Sequence, residues 1–361
     1  MTTSTADLGL DGGDEAAGHE QVLFCRDDET GLRAIIAIHD TTLGPGLGGT
    51  RFRPYATEDE ALRDVLRLSR GMTSKNAAAG LPFGGAKAVI IGDPRTDKTP
   101  ELLRAYGRFV DELDGRYVTA ADVGTSADDL DVIGEVTSHV VGRTVAAGGS
   151  GDSGPATAQG VFSALRAAAE RLWGADGLRG RAVGVEGAGK VGGVLARLLV
   201  EEGAVVTVGD PDPAARERVS AATGGEVRVA ASLDEAVAGG ATLDVYAPCA
   251  LGATVSVEHV RALGARLVCG AANNQLPTHD DDAALHEAGI VWVPDYVANA
   301  GGVIHLAGTE RLGQEPDEVE AAVRGIGDTV REVLSRSAEA GIPTGAAADD
   351  IVTARLAAGR G

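Results

Sequence analysis

Residues 182–210 read as strand, glycine turn, helix and strand, and this unit narrows the possible fold more than any other segment. The apolar run Ala182 to Glu186 leads straight into Gly187-Ala188-Gly189-Lys190-Val191-Gly192. A helical VLARLLVEEG and a second strand ending at Asp210 follow. A lone GxGxxG is a weak signal, but here the strand before it and the helix after it are both present. Gly187 permits the tight turn, Gly189 lets the backbone approach a pyrophosphate, and Gly192 allows close helix–sheet packing. Ala188, Lys190 and Val191 complete a helix N-terminus whose free N–H groups attract an anion. Asp210 lies 23 positions after Gly187, at the end of the second strand. A carboxylate there would bond a ribose 2′-OH and repel a 2′-phosphate, which favours NAD over NADP. Pro211 and Pro213 also mark a helix start, so capping of that helix is the alternative role for Asp210.

A length of 361 residues suits two domains, each able to bury its own core. From Arg181 onward, strand-like runs (AVGVEG, AVVTVG, LDVYAP, RLVCGAA, IVWVPDY) alternate with Ala-rich helical segments, the pattern of a doubly wound parallel sheet. The first half mixes strands (33–38, 86–91, 117–121) with helices. Thr57 to Glu60 forms a capping box that opens a helix running on through Leu62, Val65, Leu66 and Leu68, Thr99-Pro100 opens a second helix, and Ser126 begins a third. A Gly/Ser/Pro-rich stretch at 146–160 marks the boundary. The expected fold is thus α/β, with a mixed-sheet N-terminal domain, a Rossmann-type NAD-binding domain and a cleft between them. Residues 1–20 are expected as a disordered acidic tail, 21–150 plus about 326–361 as the substrate, catalytic and oligomerisation domain, and 151–325 as the NAD domain.

Bulk properties exclude several functions. Lys plus Arg number 32 against 53 Asp plus Glu, a net charge of −21 that repels a phosphate backbone, so nucleic acid is a poor partner. No apolar run is long enough to span a bilayer, and the first twenty residues lack the basic start and apolar stretch of a secretory signal. A cytoplasmic location is expected. Cys25, Cys249 and Cys269 are widely spaced and read as reduced thiols rather than a disulfide framework or zinc site. The segment HDDDAALHEAG (279–289) lacks HExxH or EF-hand spacing, so its aspartates read as a helix start and no metal is expected. His39, His139 and His305 are isolated.

The segment GMTSKNAAAGLPFGGAKAVI (71–90) places Lys75 and Lys87 twelve apart around an expected loop at Pro82, Gly84 and Gly85. Two lysines sharing a desolvated cleft could act one as a base and one as an anion binder, although lysines are more often solvated. Together with GPGLGGTRF (44–52), YVTAADVGT (117–125), GAGKVG (187–192), APCALG (247–252), CGAANNQL (269–276) and PDYVANAGGVI (294–304), this segment strongly resembles the glutamate/leucine/phenylalanine/valine dehydrogenase superfamily, and most of all its valine branch, then leucine. The resemblance runs from about His19 to the end.

The resemblance implies residue roles. Lys75 corresponds to the lysine that binds the substrate α-carboxylate, Lys87 to the lysine that activates water, and Asp122 to the carboxylate that shuttles protons at the amino group. Read alone, Asp122 would be an ordinary capping or ion-paired residue. Asn273 and Asn299 match asparagines at the junction of substrate and nicotinamide. Thr157, Cys249 and Ala250 match residues beside the cofactor, and Leu47, Gly48, Ala120, Val303 and Leu306 match the side-chain pocket. Where glutamate dehydrogenases carry a lysine in the first motif, this chain has Leu47, and a glutamate carboxylate there would stay unpaired at a cost of about several kcal/mol. Three positions depart from the valine and leucine branch: Ala86, Ser74 and the divergent 307–314 segment.

The expected activity is reversible NAD-dependent oxidative deamination of a branched-chain L-amino acid (valine, with leucine and isoleucine) by a homo-oligomer. A phenylalanine or broad-range enzyme and a catalytically silent NAD-binding regulator are the alternatives. A 2-hydroxy-acid dehydrogenase lacks its Arg and His context.

Overall fold

The computed structural model describes residues 18–175, 177–278 and 280–359. They divide into two compact units. The first comprises residues up to Asp152, Leu306–Gly313 and the chain from Ala354; the second comprises Ser153–His305 and Gln314–Thr353.

The first unit is built on strands β1 (Gln21–Asp27), β2 (Leu32–Asp40), β3 (Gly46–Arg53), β4 (Gly84–Ile91) and β5 (Tyr117–Ala121), in the order β1-β2-β4-β3-β5. The β1–β2 and β2–β4 pairs are antiparallel, whereas β4–β3 and β3–β5 are parallel, so the sheet is mixed. Helices α1 (Glu58–Ala78), α2 (Pro100–Asp111) and α3 (Ala127–Ile133) accompany it. Alternation along β4 divides the core. Ala86, Ala88 and Ile90 pack with Leu102, Leu103 and Tyr106 of α2, while Val89 packs with Ala61, Leu62, Val65 and Leu66 of α1. Lys87 therefore falls on the α1 face.

Local chemistry sets the helix starts. The Thr57 hydroxyl accepts from the Glu60 amide, but the Glu60 carboxylate bonds Ala56 N–H rather than Thr57 N–H, so the expected capping box is displaced by one residue on its return side. Thr99 caps α2 ahead of Pro100, and Ser126 and Asp129 form a full reciprocal box on α3. The expected disordered tail lies outside the described residues up to position 17. At 18–20 it needs correction. The Glu20 amide bonds Ile38 C=O, and the His19 ring bonds Ser69 Oγ at 2.9 Å, so this segment extends the β1 edge of the sheet.

The second unit holds a parallel sheet of β6 (Ala182–Glu186), β7 (Val205–Gly209), β8 (Arg228–Ala230), β9 (Val245–Pro248), β10 (Leu267–Val268) and β11 (Val291–Trp292), ordered β11-β10-β9-β6-β7-β8. The order reverses between β6 and β9, and in such sheets ligands bind beyond the strand C-termini at that point. Its helices are α4 (Gly154–Trp173), α5 (Lys190–Glu201), α6 (Pro213–Ala222), α7 (Leu233–Ala238), α8 (Val257–Leu263), α9 (Asp280–Glu287) and α10 (Asp295–Ala298). Next come α11 (Gly301–Glu310), which belongs to the second unit as far as His305 and to the first from Leu306, then α12 (Pro316–Arg324), α13 (Ile326–Ala340) and α14 (Thr344–Gly359). The expectation that the C-terminal helices join the substrate domain is corrected for most of their length. Helix α13 packs on α4, where a methyl on Gly160 would meet Ile326 Cδ1 at 2.7 Å, and only the stretch from Ala354 groups with the first unit. There Arg355 Nη1 donates to the carbonyls of Ala77 and Ala78 at the end of α1.

Between the mixed sheet and α2 lies a cluster of buried hydroxyls. Thr50 Oγ1 lies 2.5 Å from Tyr106 Oη and 2.6 Å from Thr119 Oγ1, and Tyr117 Oη donates to the Gly48 carbonyl at 2.9 Å. Thr50 and Thr119 are fully buried, so no water substitutes for a lost partner. Thr50→Val, which keeps the shape and removes the hydroxyl, should lower unfolding stability by about 1–3 kcal/mol in urea titration. A loss below about 0.5 kcal/mol would show that the remaining hydroxyls satisfy one another.

Candidate active site

The parallel β4–β3 and β3–β5 registers bring three glycine-rich or small-residue segments side by side. Leu47 lies opposite Gly85 and Val118, and Gly49 lies opposite Ala120. Backbones approach closely: a methyl on Gly48 would sit 1.8 Å from Ala86 C=O, and one on Gly49 would sit 2.5 Å from Ala121 C=O. Gly48, expected to contact substrate, is thus required first of all for strand packing. Asn76, buried on α1, fastens the same place. Its Nδ2 donates to Leu47 C=O at 3.1 Å and to Gly84 C=O at 2.6 Å.

On the α1 face the charged groups converge. Lys87 Nζ lies 2.8 Å from Asp122 Oδ2, and Arg51 Nε lies 3.2 Å from the same oxygen. Arg51 also reaches Asp64 on α1 at 3.0 Å, and Asp64 in turn accepts from Tyr55 Oη at 2.8 Å and pairs with Arg67. Asp122 owes its position to the turn after β5: its N–H donates to Thr125 Oγ1, and Gly124, at φ +81°, passes so close to Phe52 C=O that no side chain fits. Burial would raise the Asp122 carboxyl, but the Lys87 ammonium and then the Arg51 guanidinium outweigh it and hold it down at about 2. Asp122 is therefore a carboxylate paired with Lys87. Lys75 stands in the last turn of α1, which runs farther than the periodicity through Leu68 suggests, and Gly84 and Gly85 open β4 instead of forming a loop. Leu47 is 1% exposed and Ala120 7%, both apolar surfaces on this unit, and Leu306 lies beside Gly142 in the same unit.

The second unit assembles the dinucleotide elements. Gly187 has φ +99°, a methyl on Gly192 would fall 1.9 Å from Gly187 C=O, and nothing lies within 4 Å of one placed on Gly189. The three glycines thus serve turn, packing and open approach, in that order of necessity. Helix α5 starts at Lys190 behind Gly189, which supplies no side-chain cap, so the first-turn N–H groups face outward. Cys249 and Ala250 close against the turn, the nearest atom to a Gly187 methyl being Ala250 Cβ at 2.9 Å. Burial pushes the Cys249 thiol up to about 12, which leaves it an inert small side chain. Asp210 does not cap α6, a role taken by Asp212, whose carboxylate accepts from Ala214 N–H. Instead Asp210 Oδ2 accepts from Ala188 N–H at 2.8 Å, which binds the second strand to the glycine turn.

Asn299 Nδ2 donates to Asn273 Oδ1 at 2.8 Å and to Ala271 C=O at 3.1 Å. The Asn299 Oδ1 atom is buried and accepts no hydrogen bond. A ligand amide or ammonium would satisfy it, and the open space over Gly189 suits a pyrophosphate, so the residues present fit a dinucleotide. Thr157 Oγ1 donates to Ser153 C=O, and Gly302 admits it, a methyl there falling 2.6 Å from that oxygen. Val303 is half-buried on α11.

Sequence reasoning missed Arg51, Asp64 and Asn76. Arg51 and Asn76 stand inside the quoted motifs, and their polar side chains among glycines and alanines were the available signal. A polar cavity of about 640 Å³ in the first unit, lined by Arg143, Glu310 and Arg311 among others, contains neither Lys87 nor Asp122 and lies apart from this chemistry.

Fold and site together define an amino-acid dehydrogenase of the NAD(P)-dependent class that acts on CH–NH2 donors. Residues 19–139 match the Glu/Leu/Phe/Val dehydrogenase dimerisation domain, and residues 148–315 match the Glutamate/Leucine/Phenylalanine/Valine dehydrogenase domain. The chain is 51% identical to valine dehydrogenase from Streptomyces virginiae, covering 96% of each, and 47% identical to leucine dehydrogenase from Bacillus cereus, covering 95% and 92%. Among solved structures it is similar to L-tryptophan dehydrogenase from Nostoc punctiforme, with a TM-score of 0.80, 40% identity and coverage of 95% and 97%. The chain belongs to the Glu/Leu/Phe/Val dehydrogenase family.

The Lys87–Asp122 pair has a pH signature. A depressed carboxyl stabilises the fold above the unfolded value near 4, and this contribution is lost as pH falls toward 2. The stability gap between the wild type and Asp122→Asn should shrink by about 1 kcal/mol between pH 6 and pH 3 in urea unfolding. A gap constant over that range would mean that Asp122 is not held low by its cations.

Proposed function

We propose that this chain catalyses reversible NAD-dependent oxidative deamination of a branched-chain aliphatic L-amino acid, valine with leucine and isoleucine, to the 2-oxo acid and ammonia. The observation that carries this reading is the ion pair of buried Lys87 with half-buried Asp122, in the unit whose sheet also carries an apolar Leu47. The relatives named for valine and leucine support the substrate class.

Lys75 would bind the substrate carboxylate, and Leu47, Gly48, Ala120, Val303 and Leu306 would receive its side chain. Asp122 would take a proton from the substrate ammonium, freeing the amine lone pair for imine formation as hydride leaves Cα. NAD, when bound, supplies the acceptor for that hydride. Lys87, once its ammonium has released a proton to solvent, would then draw a proton from water attacking the iminium carbon; Asp122 would return its proton to the carbinolamine nitrogen, and the C–N bond would break to release ammonia as the hydroxyl proton passes to solvent. Thr157, Gly187 to Gly192, Cys249, Ala250 and Asn273 would hold the dinucleotide, with Asn299 offering its free acceptor. NAD is favoured over NADP because the Asp210 carboxylate ends β7 beside the glycine turn. The matched dimerisation domain supports a homo-oligomer, and the composition supports a cytoplasmic location, with no helix among the described residues long and apolar enough to cross a membrane.

NADH formation with L-valine, L-leucine, L-isoleucine, L-phenylalanine, L-tryptophan, L-alanine and L-glutamate tests the proposal. Branched-chain turnover should dominate and fall roughly 10²–10⁴-fold in Lys87→Ala. Dominant aromatic turnover would move the substrate class, and dinucleotide binding without turnover would indicate a regulator. Asp210→Asn keeps an acceptor for the Ala188 amide and removes the charge. It should narrow the NAD-over-NADP preference in kcat/KM by about tenfold, and an unchanged ratio would remove Asp210 from cofactor selection.

A further inference from the structure

The last residue of α11, Glu310, is not among the residues expected to matter, and it stands in the segment whose sequence departs from the family pattern. One of its oxygens accepts three hydrogen bonds: from Gly142 N–H at 2.9 Å, from Ser150 N–H at 2.9 Å, and from the Ser150 hydroxyl at short range. Both partners belong to the chain after β5. That chain is itself fastened to β5, since Val141 N–H donates to Thr119 C=O at 2.9 Å and Thr119 N–H donates to His139 C=O at 3.0 Å. The 142–151 loop is closed by Thr144, which donates from N–H and Oγ1 to Asp131, and by Gly149 N–H on Thr144 C=O. Glu310 therefore grips a rigid segment.

Leu306 lies one turn before Glu310 on α11, on the same helix face. A methyl built on Gly142 would meet Leu306 Cδ2 at 3.4 Å. A continuous path thus runs from Ala120 on β5, through Thr119, Val141 and Gly142, to Glu310 and back to Leu306. Ala120 and Leu306 are two of the five residues proposed to receive the substrate side chain. We infer that Glu310 is a specificity-positioning residue, a carboxylate latch that sets the spacing between Leu306 and Ala120 and so the size of amino-acid side chain accepted. This inference rests on the proposed deamination of aliphatic amino acids.

The polar cavity of about 640 Å³ is lined by Glu310 itself and by Arg143, Gly148 and Gly149 of the 142–151 loop, so water has a route into the space that a removed carboxylate leaves. In Glu310→Ala the ratio of kcat/KM between L-valine and L-leucine should flatten by about five- to tenfold, with KM for the amino acid raised and KM for NAD unchanged. Glu310→Gln keeps the accepting oxygen and should restore most of the wild-type ratio. Amide hydrogen exchange across 142–150 should accelerate in the alanine variant and not in the glutamine variant, a readout that needs no turnover. Should Glu310→Ala fail to fold, Ser150→Ala, which removes one donor of three, should flatten the ratio about two- to threefold. An unchanged substrate ratio in a folded Glu310→Ala, an equal loss for every substrate and for NAD, or unaltered exchange overturns the latch. A wild type that turns over no amino acid while showing the exchange difference overturns the proposed function and with it the latch's role in selectivity.

Discussion

A carboxylate held between two cations is the interaction on which the first unit depends. Asp122 receives Lys87 at 2.8 Å and Arg51 at 3.2 Å, and the chain of charges continues through Asp64 to Arg67 and Tyr55. The four central members come from four places in the chain: Lys87 from β4, Arg51 from β3, Asp64 from α1, and Asp122 from the turn after β5. Burying one such charge alone would cost several kcal/mol, roughly, so every element must arrive for any of them to be tolerated. The network makes the unit's assembly interdependent, and it presents an amine and a carboxylate in direct contact where a proton can pass between them.

Glycine and small residues make that convergence possible. Strands β3, β4 and β5 meet through Gly48, Gly49, Gly84 and Gly85, where side chains would collide with neighbouring carbonyls or with Thr73 of α1. The second unit solves a similar problem differently. There Gly192 lets α5 press on the turn, while Gly189 leaves space open, so one motif combines closeness to protein with room for a ligand. The two glycine clusters look alike in sequence but differ in what surrounds them: strand against strand in one, helix against turn with open space over Gly189 in the other.

Much of this was legible beforehand because it rests on local rules. The βαβ unit with its glycine turn, the caps at Thr99 and Ser126, and the strands at 33–38, 86–91 and 117–121 follow from period, propensity and turn chemistry. What escaped depends on tertiary partners. Lys75 lies in a helix because α1 continues across the small residues 76–78, which periodicity through Leu68 does not require. Arg51 and Asp64 form their pair only after β3 and α1 have packed, and nothing local distinguishes Asp64 from any solvated helix aspartate. The displacement of α13 onto α4 is of the same kind: it follows from Gly160 and Ile326 fitting together, a match between residues far apart in sequence. Asp210 shows the reverse case, where two local readings competed: Asp212 takes the cap that one of them gave to Asp210, and Asp210 bonds Ala188 N–H, a contact that neither reading contained.

The strong acidity of the chain bears on how such sites can hold anions at all. A net charge of −21 opposes both a dinucleotide and an amino-acid carboxylate at long range. At physiological ionic strength, however, exposed charges are screened beyond about 8 Å, whereas groups in or near van der Waals contact are not. Attraction must therefore be local and directional. In the proposed reaction the first turn of α5, without a side-chain cap, would offer backbone N–H groups with a favourable helix dipole, and Lys75 at the end of α1 would offer a cation. Asp122 adds a further restraint, because its charge offsets the cations of Lys87 and Arg51 and leaves little net positive field to draw the carboxylate away from Lys75. In the proposed reaction a substrate would then be oriented by the separation of its own charges, with its carboxylate on Lys75 and its ammonium at Asp122. On this account, orientation follows from pairing each charge once, and the bulk acidity of the surface has no part in it.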